Sequence, residues 1–138
     1  SGAGLPGVPL ACVRPDLKVT CCDSVAKKVT FIKAVAADLD LPVVGIACRA
    51  AGNPEAEGLP LSDLLVSRAL ADPVEWVPLA VQYANASGRI VGMLGQEKDD
   101  KSLNEIAVSS GLQLVRVERF RLPFSQAQRG IAVWTRAS

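Results

Sequence analysis

Apolar and polar positions alternate along this chain between two periods. Lys18–Cys22 (KVTCC), Pro42–Cys48 (PVVGIAC) and Asp63–Ser67 (DLLVS) are short runs dense in β-branched and aliphatic residues, the pattern of buried strands. The first ends at Asp23 and the third at Arg68. Between the first two, Val25, Val29, Ile32, Ala36 and Leu39 form one helical stripe, with Lys27, Lys28 and Lys33 mostly off it. Asp72, Pro73 and Glu75 predict a helix start: cap, first-turn proline, acid at the third position. Val74, Val77, Val81 and Ala84 continue that helix. A strand is expected over Arg89–Leu94, after Gly88, and a more polar helix over 99–110, stopped by Gly111. Pro6–Val13 reads as a short helix stopped by Pro15, Ser24 as a helix cap, and 50–61 as a Gly/Pro-rich loop. Leu112–Phe120 and Ile131–Thr135 are the last strands, an antiparallel edge pair joined by a loop with Pro123.

Strand–helix alternation predicts an α/β fold with a mostly parallel sheet and right-handed crossovers. Such sheets bind ligands beyond the carboxyl ends of their strands. Asp23, Ala50, Ala51 and Arg68 all fall at such ends. The 138 residues read as one domain, 1–138, with no internal repeat.

Composition narrows the chemistry. The chain has no histidine, which removes histidine-based acid–base and triad catalysis. Cys12, Cys21, Cys22 and Cys48 do not form a CxxC pair, so no metal site is expected. They read as small buried hydrophobes in a reducing cytosol, with Cys21 and Cys22 on opposite faces of one strand. No apolar run is long enough to span a bilayer, and residues 1–13 show no basic leader, so a cytoplasmic protein without a membrane partner is expected. Net charge is +1, but residues 112–138 carry five arginines (116, 119, 121, 129 and 136) against Glu118 alone. That tail is either a solvated strand face or an edge that contacts RNA phosphates.

The chain opens on Gly2, Gly4 and Gly7 in the spacing G-x-G-x-x-G. Glycines there let backbone approach a ligand, and the following helix start suits polar or anionic groups. Asp23 lies 21 residues after Gly2 at a strand end, where a carboxylate accepts from both hydroxyls of a ribose. The pair marks an adenosine ribose and leaves NAD and S-adenosylmethionine both open. A tight turn with a helix-capping Asp accounts for the same residues without a ligand.

The wider string is more specific. SGAGLPGVPL, Arg14-Pro15, Asp23-Ser24, Lys27-Lys28 with Phe31, Arg49 and Arg68-Ala69 stand in the register of the GidB/RsmG family. The chain resembles that family densely over residues 1–70 and more thinly beyond. The resemblance implies a Rossmann-like class I methyltransferase, a three-layer sandwich that methylates guanine N7 of small-subunit (16S) ribosomal RNA with S-adenosyl-L-methionine. It implies cofactor contacts from Gly2, Gly4, Leu5, Gly7, Asp23, Ser24, Ala50 and Ala51. Arg68 is implied at the cofactor–substrate junction, as the catalytic residue, and Arg49 and Arg129 near RNA. Guanine N7 has a free lone pair and no proton to remove, so alignment supplies most of the acceleration and histidine is not needed.

The chain departs from the family pattern at three places. The strand ending in Asp-x-Gly and the N-terminal helices come before the position of Ser1, so the sheet is expected to lack its first central strand. Ala51 stands where the family has Glu, and Leu94 where it has Lys. The alternative reading is a non-enzymatic RNA- or nucleotide-binding remnant, or an oligomerising one in which a second copy covers the gap.

Overall fold

The computed structural model describes residues 4–68, 72–95 and 98–138. The chain divides into two compact units, Ser1–Leu59 and Pro60–Ser138.

The first unit holds α1 (Gly7–Val13), β1 (Val19–Asp23), α2 (Ala26–Asp38), β2 (Val43–Ala47) and α3 (Pro54–Glu57). β1 and β2 form a two-stranded parallel sheet, with Val19 opposite Val43 and Asp23 opposite Ala47. Helices cover one face: Val8 of α1, Cys21 of β1 and Ile32 of α2 are buried together, flanked by Val19, Val35, Leu41 and Val43. The α2 stripe read from the sequence is the stripe that packs, through Val29, Ile32 and Ala36. Small residues set the spacing of this layer. A methyl group on Gly7 would stand 2.6 Å from Cys21 Sγ, and one on Gly45 would stand 3.0 Å from Val29 Cγ1.

Two expectations are corrected here. Ser24 does not cap α2: the helix begins after Val25, whose backbone is extended, and no side chain caps it. Asp23 braces the turn before the helix instead, because its Oδ1 accepts the Val25 N–H at 2.8 Å. Residues 50–61 are not simply a loop, since Asn53 caps α3 by accepting from Ala56 N–H, with Pro54 in the first turn.

The second unit holds β3 (Ser62–Arg68), α4 (Pro73–Ala80), β4 (Ala84–Leu94), α5 (Asp100–Ser109), β5 (Leu112–Arg121) and β6 (Gln128–Arg136). Its four-stranded sheet has the order β3-β4-β6-β5. β3 and β4 are parallel, while β6 runs antiparallel to both β4 and β5, as the edge-pair expectation required. Val77, Ile90, Leu103, Ile106, Leu112, Ala132 and Trp134 make the core. Trp134 is fully buried, and its indole N–H donates to the Leu103 carbonyl at 3.3 Å. Asp72 and Asp99 cap α4 and α5 by accepting from the Val74 and Ser102 amides. Gly111 follows α5 with φ +69°, the left-handed turn a helix stop needs. Ala84 is a correction: α4 ends at Ala80, a 3-10 turn spans Val81–Tyr83, and Ala84 opens β4 instead of extending the helix.

The strands fall into two sheets, one in each unit. Among the described residues the strand ladders join β1 to β2 and β3 to β4, and no described strand pairs with both β1 and β3. No described helix is long and apolar enough to cross a membrane.

Candidate functional site

In the first unit Asp23, Ser24, Ala50 and Ala51 of the predicted nucleoside residues lie at or after the ends of β1 and β2. Asp23 closes β1, and its carbonyl accepts the Cys48 N–H at 3.1 Å, which brings the segment from Cys48 to Ala51 beside it. The hydrogen bond from Val25 N–H orients the Asp23 carboxylate. Gly4 is buried at φ +89°, a conformation side chains rarely adopt, and its carbonyl accepts the Val8 N–H at 2.7 Å to start α1. Leu5 is half-exposed and joined to Pro6 by a cis peptide. Gly7, the first residue of α1, lies against Cys21, so helix–strand packing alone accounts for its lack of a side chain. Gly2 lies outside the described residues. Ser24, Arg49 and Ala51 are exposed and Ala50 is half-buried.

One contact was not legible beforehand. The Ala51 N–H donates to Glu57 Oε1 at 2.8 Å, and the Asn53 N–H donates to the same oxygen at 3.3 Å. A carboxylate on α3 therefore folds back and clasps the segment expected to lie against an adenine. The clue in the sequence was Asn53-Pro54, a cap followed by a first-turn proline, which announces a short helix inside the loop.

The second unit carries Arg68 and Arg129 at the same end of its sheet. Arg68 is the last residue of β3, opposite Met93 of β4. Met93 is opposite Ile131 of β6, two residues beyond Arg129. Two strand spacings, roughly 10 Å, thus separate the β3 and β6 backbones that carry them. Arg68 is exposed. Arg129 Nη1 donates to the carbonyls of Gln128 at 2.7 Å and Gly95 at 3.2 Å, which pins it across the β4 end.

Arg129 lines a cavity of about 200 Å³ together with Leu94, Lys98, Arg119, Phe120 and Arg121. Two of its cations are held by carboxylates outside it: Arg119 by Asp100 at 2.6 Å and Lys98 by Asp72 at 3.0 Å. The result is a basic pocket with an apolar floor and one aromatic ring. Such a lining suits a phosphate with an attached base. The arginine-rich tail was visible in the sequence. Lys98 was not, because its neighbours in the chain are acidic. Among the described residues no cluster of cysteines and carboxylates could hold a metal ion.

The GidB family model, described as rRNA small subunit methyltransferase G, matches residues 1–129. A ribosomal RNA small subunit methyltransferase G from Anaeromyxobacter sp. (strain Fw109-5) is 62% identical over 134 residues, which cover 97% of this chain and 62% of that protein. The Myxococcus xanthus protein of the same name is 45% identical over 137 residues, 99% of this chain and 63% of its own. The chain therefore spans less than two thirds of the length of these curated relatives. Among solved structures, Burkholderia thailandensis 1,6-didemethyltoxoflavin-N1-methyltransferase, with 1,6-didemethyltoxoflavin and S-adenosylhomocysteine bound, aligns at a TM-score of 0.74 and 13% identity. The alignment covers 100% of this chain and 69% of that one. This likeness bears out the expected fold class, the Rossmann-like α/β fold of class I methyltransferases.

Proposed function

Since the chain belongs to the rRNA small subunit methyltransferase G family, we propose that it carries the nucleoside-binding and RNA-facing parts of an S-adenosylmethionine-dependent methyltransferase. In this reading it acts on guanine N7 of small-subunit ribosomal RNA, in the cytoplasm, and residues 1–138 belong to a single domain. The observation that carries the reading is the strand-end carboxylate: Asp23 closes β1 with its side chain oriented by the Val25 amide. A carboxylate so placed accepts from both hydroxyls of a ribose.

The residues present fit the cofactor at three points and adjust it at a fourth. Gly4 keeps side-chain bulk out of the turn before α1. Asp23 holds the ribose. Ala50 and Ala51 offer small apolar groups to an adenine face. The Ala51 N–H is committed to Glu57, so adenine is recognised at this point by contact surface and not by that amide. Bound, the cofactor supplies a methyl group on a sulfonium, already activated for transfer. The work left to the chain is alignment and the exclusion of water. Arg68, exposed at the end of β3, is assigned to the substrate side, where a guanidinium pairs with the guanine edge or a phosphate. Arg49 is assigned to RNA, and Arg129 with its pocket to an RNA phosphate near the target base.

Isothermal titration with S-adenosylhomocysteine tests the cofactor assignment. Asp23→Ala is expected to weaken binding by about 1.5–3 kcal/mol, the worth of hydrogen bonds to a charged group. An unchanged affinity would remove Asp23 from the ribose. For RNA, Arg129→Ala is expected to lower affinity for a ribosomal RNA fragment and to reduce the salt slope by roughly one ion. It should leave S-adenosylhomocysteine binding as it was. An unaltered salt slope would detach the pocket from the phosphate backbone.

A further inference from the structure

Cys22 and Cys48 stand together beside the nucleoside residues. Cys22 is opposite Ile46 in the β1–β2 register, and Cys48 lies two residues beyond Ile46, so both side chains fall on one face of the sheet. Cys21 takes the other face, under α1. The Cys22 and Cys48 sulfurs are 3.2 Å apart, and Cys22 Sγ also lies 3.3 Å from the Cys48 carbonyl oxygen. Both residues are half-buried, and neither is in a disulfide. Each is the immediate neighbour of a site residue: Cys22 precedes Asp23, and Cys48 precedes Arg49, Ala50 and Ala51.

We infer that Cys22 and Cys48 are a reversible redox pair, closed to a disulfide by a peroxide, and that closing it shifts the strand-end segment 48–51 that faces the nucleoside.

The chemistry balances within the pair and its oxidant. The Cys48 thiolate attacks one peroxide oxygen, the O–O bond breaks, and water leaves after protonation, which converts Cys48 to a sulfenic acid. The Cys22 sulfur then attacks Cys48 sulfur, the S–O bond breaks, and a second water leaves as the S–S bond forms. The two thiols together lose two electrons and two protons, and the peroxide accepts both. The order follows from the environment. Burial, and then the hydrogen bond and charge of Cys48, push the Cys22 thiol up to about 12, so Cys22 suits the second, resolving step. A neutral sulfenic acid on Cys48 removes the charge part of that rise while burial remains, and Cys22, in contact with Cys48 sulfur, takes the resolving step.

Closure requires the sulfurs to move from 3.2 Å to the S–S bond length of about 2.05 Å. β1 is held in place by α1 through Gly7 and Cys21, so the segment after β2 is the part that yields. That segment ends in the Ala51 N–H bonded to Glu57. A disulfide of this kind suits a reducing compartment, where such bonds are transient and sense oxidants.

The test treats the intact protein with hydrogen peroxide and maps its peptides. The expected product is a monomer lacking two hydrogens, with Cys22 linked to Cys48, restored by a dithiol reductant. Cys22→Ser and Cys48→Ser should each abolish the link, and Cys12→Ser should retain it. Oxidation that yields dimers through exposed Cys12, or sulfinic acid on one cysteine with no link, overturns the redox pair. Hydrogen exchange at Ala51 and Asn53 reads the coupling without any ligand: faster exchange in the oxidised protein is expected, and identical exchange overturns it. The further consequence, a several-fold weaker affinity for S-adenosylhomocysteine after oxidation, rests on the proposed function. If the reduced protein binds no S-adenosylhomocysteine, the proposed function fails, while the disulfide still stands or falls on its mass and exchange readouts.

Discussion

The two units solve the same problem with different materials. The second has a deep core in which Trp134, Ile90, Leu103 and Val77 are fully buried between the sheet and its helices. The first rests on Val8, Cys21 and Ile32, and its layers approach closely because Gly7 and Gly45 have no side chains. In the second unit the basic pocket lies at the ends of long strands, away from Trp134. In the first, Asp23 is two residues from the buried Cys21, on the same short strand. Large side chains give a core that tolerates changes at its rim. Where glycine contacts set the packing of a short strand that also ends in a site residue, rim and packing are tied, so binding and stability there should move together.

The largest effect should come from the large core. Trp134→Ala removes the fully buried indole and its hydrogen bond to Leu103, and should cost about 3–5 kcal/mol in urea unfolding. A loss under ~1 kcal/mol would show that the core does not depend on this ring. A smaller loss is expected from Gly7→Ala, because the new methyl group would meet Cys21 Sγ at 2.6 Å. Overpacking of this kind costs about 1–3 kcal/mol. Adding Cys21→Ala should return most of that stability, since it removes the sulfur in the way. If the double variant is no more stable than Gly7→Ala, close packing at this point is not what requires glycine.

How far the sequence disclosed this arrangement differs between local and distant signals. Asp72-Pro73, Asp99 and Gly111 were legible because caps and helix stops act within one turn of chain. The strand ends at Asp23 and Arg68 were legible because dense apolar runs end there. Capping at α2 was misread because Ser24 is a good capping residue by type, yet the helix begins after Val25 and Asp23 accepts the amide of the turn. Ala84 continued an apolar helical stripe, yet β3 recruits it into β4 opposite Ser62, an outcome no local window contains. The Glu57 clasp, the meeting of Cys22 with Cys48, and the entry of Lys98 into an arginine pocket all depend on chain segments brought together by folding. Cysteine was the residue type read least well: of four, only Cys21 is a small buried hydrophobe, while Cys12 is exposed.

The smallest effect is electrostatic, and it separates the units by how their helices begin. In the second unit the caps of α4 and α5 are carboxylates held below their usual range. Asp99 is lowered by the Ser102 backbone and side chain. Asp72 is lowered by the Val74 amide and then by Lys98. In the first unit α1 and α2 have no side-chain cap and α3 is capped by the neutral Asn53, while Asp16, lowered by its hydrogen bond from Arg14, belongs to a surface pair. A carboxylate whose folded pKa is depressed stabilises the fold fully above its unfolded value of about 4, and that contribution is lost as pH falls through the folded value. Acid should therefore weaken the second unit through its caps. Asp99→Asn keeps an oxygen that accepts the Ser102 amide but does not titrate, so it should flatten the fall in stability between pH 5 and pH 3 (both about one unit either side of that value). Unfolding midpoints across this range, compared with the unaltered chain, decide the matter. If both proteins lose stability in parallel, the acid response arises elsewhere, and the caps do not distinguish the two units.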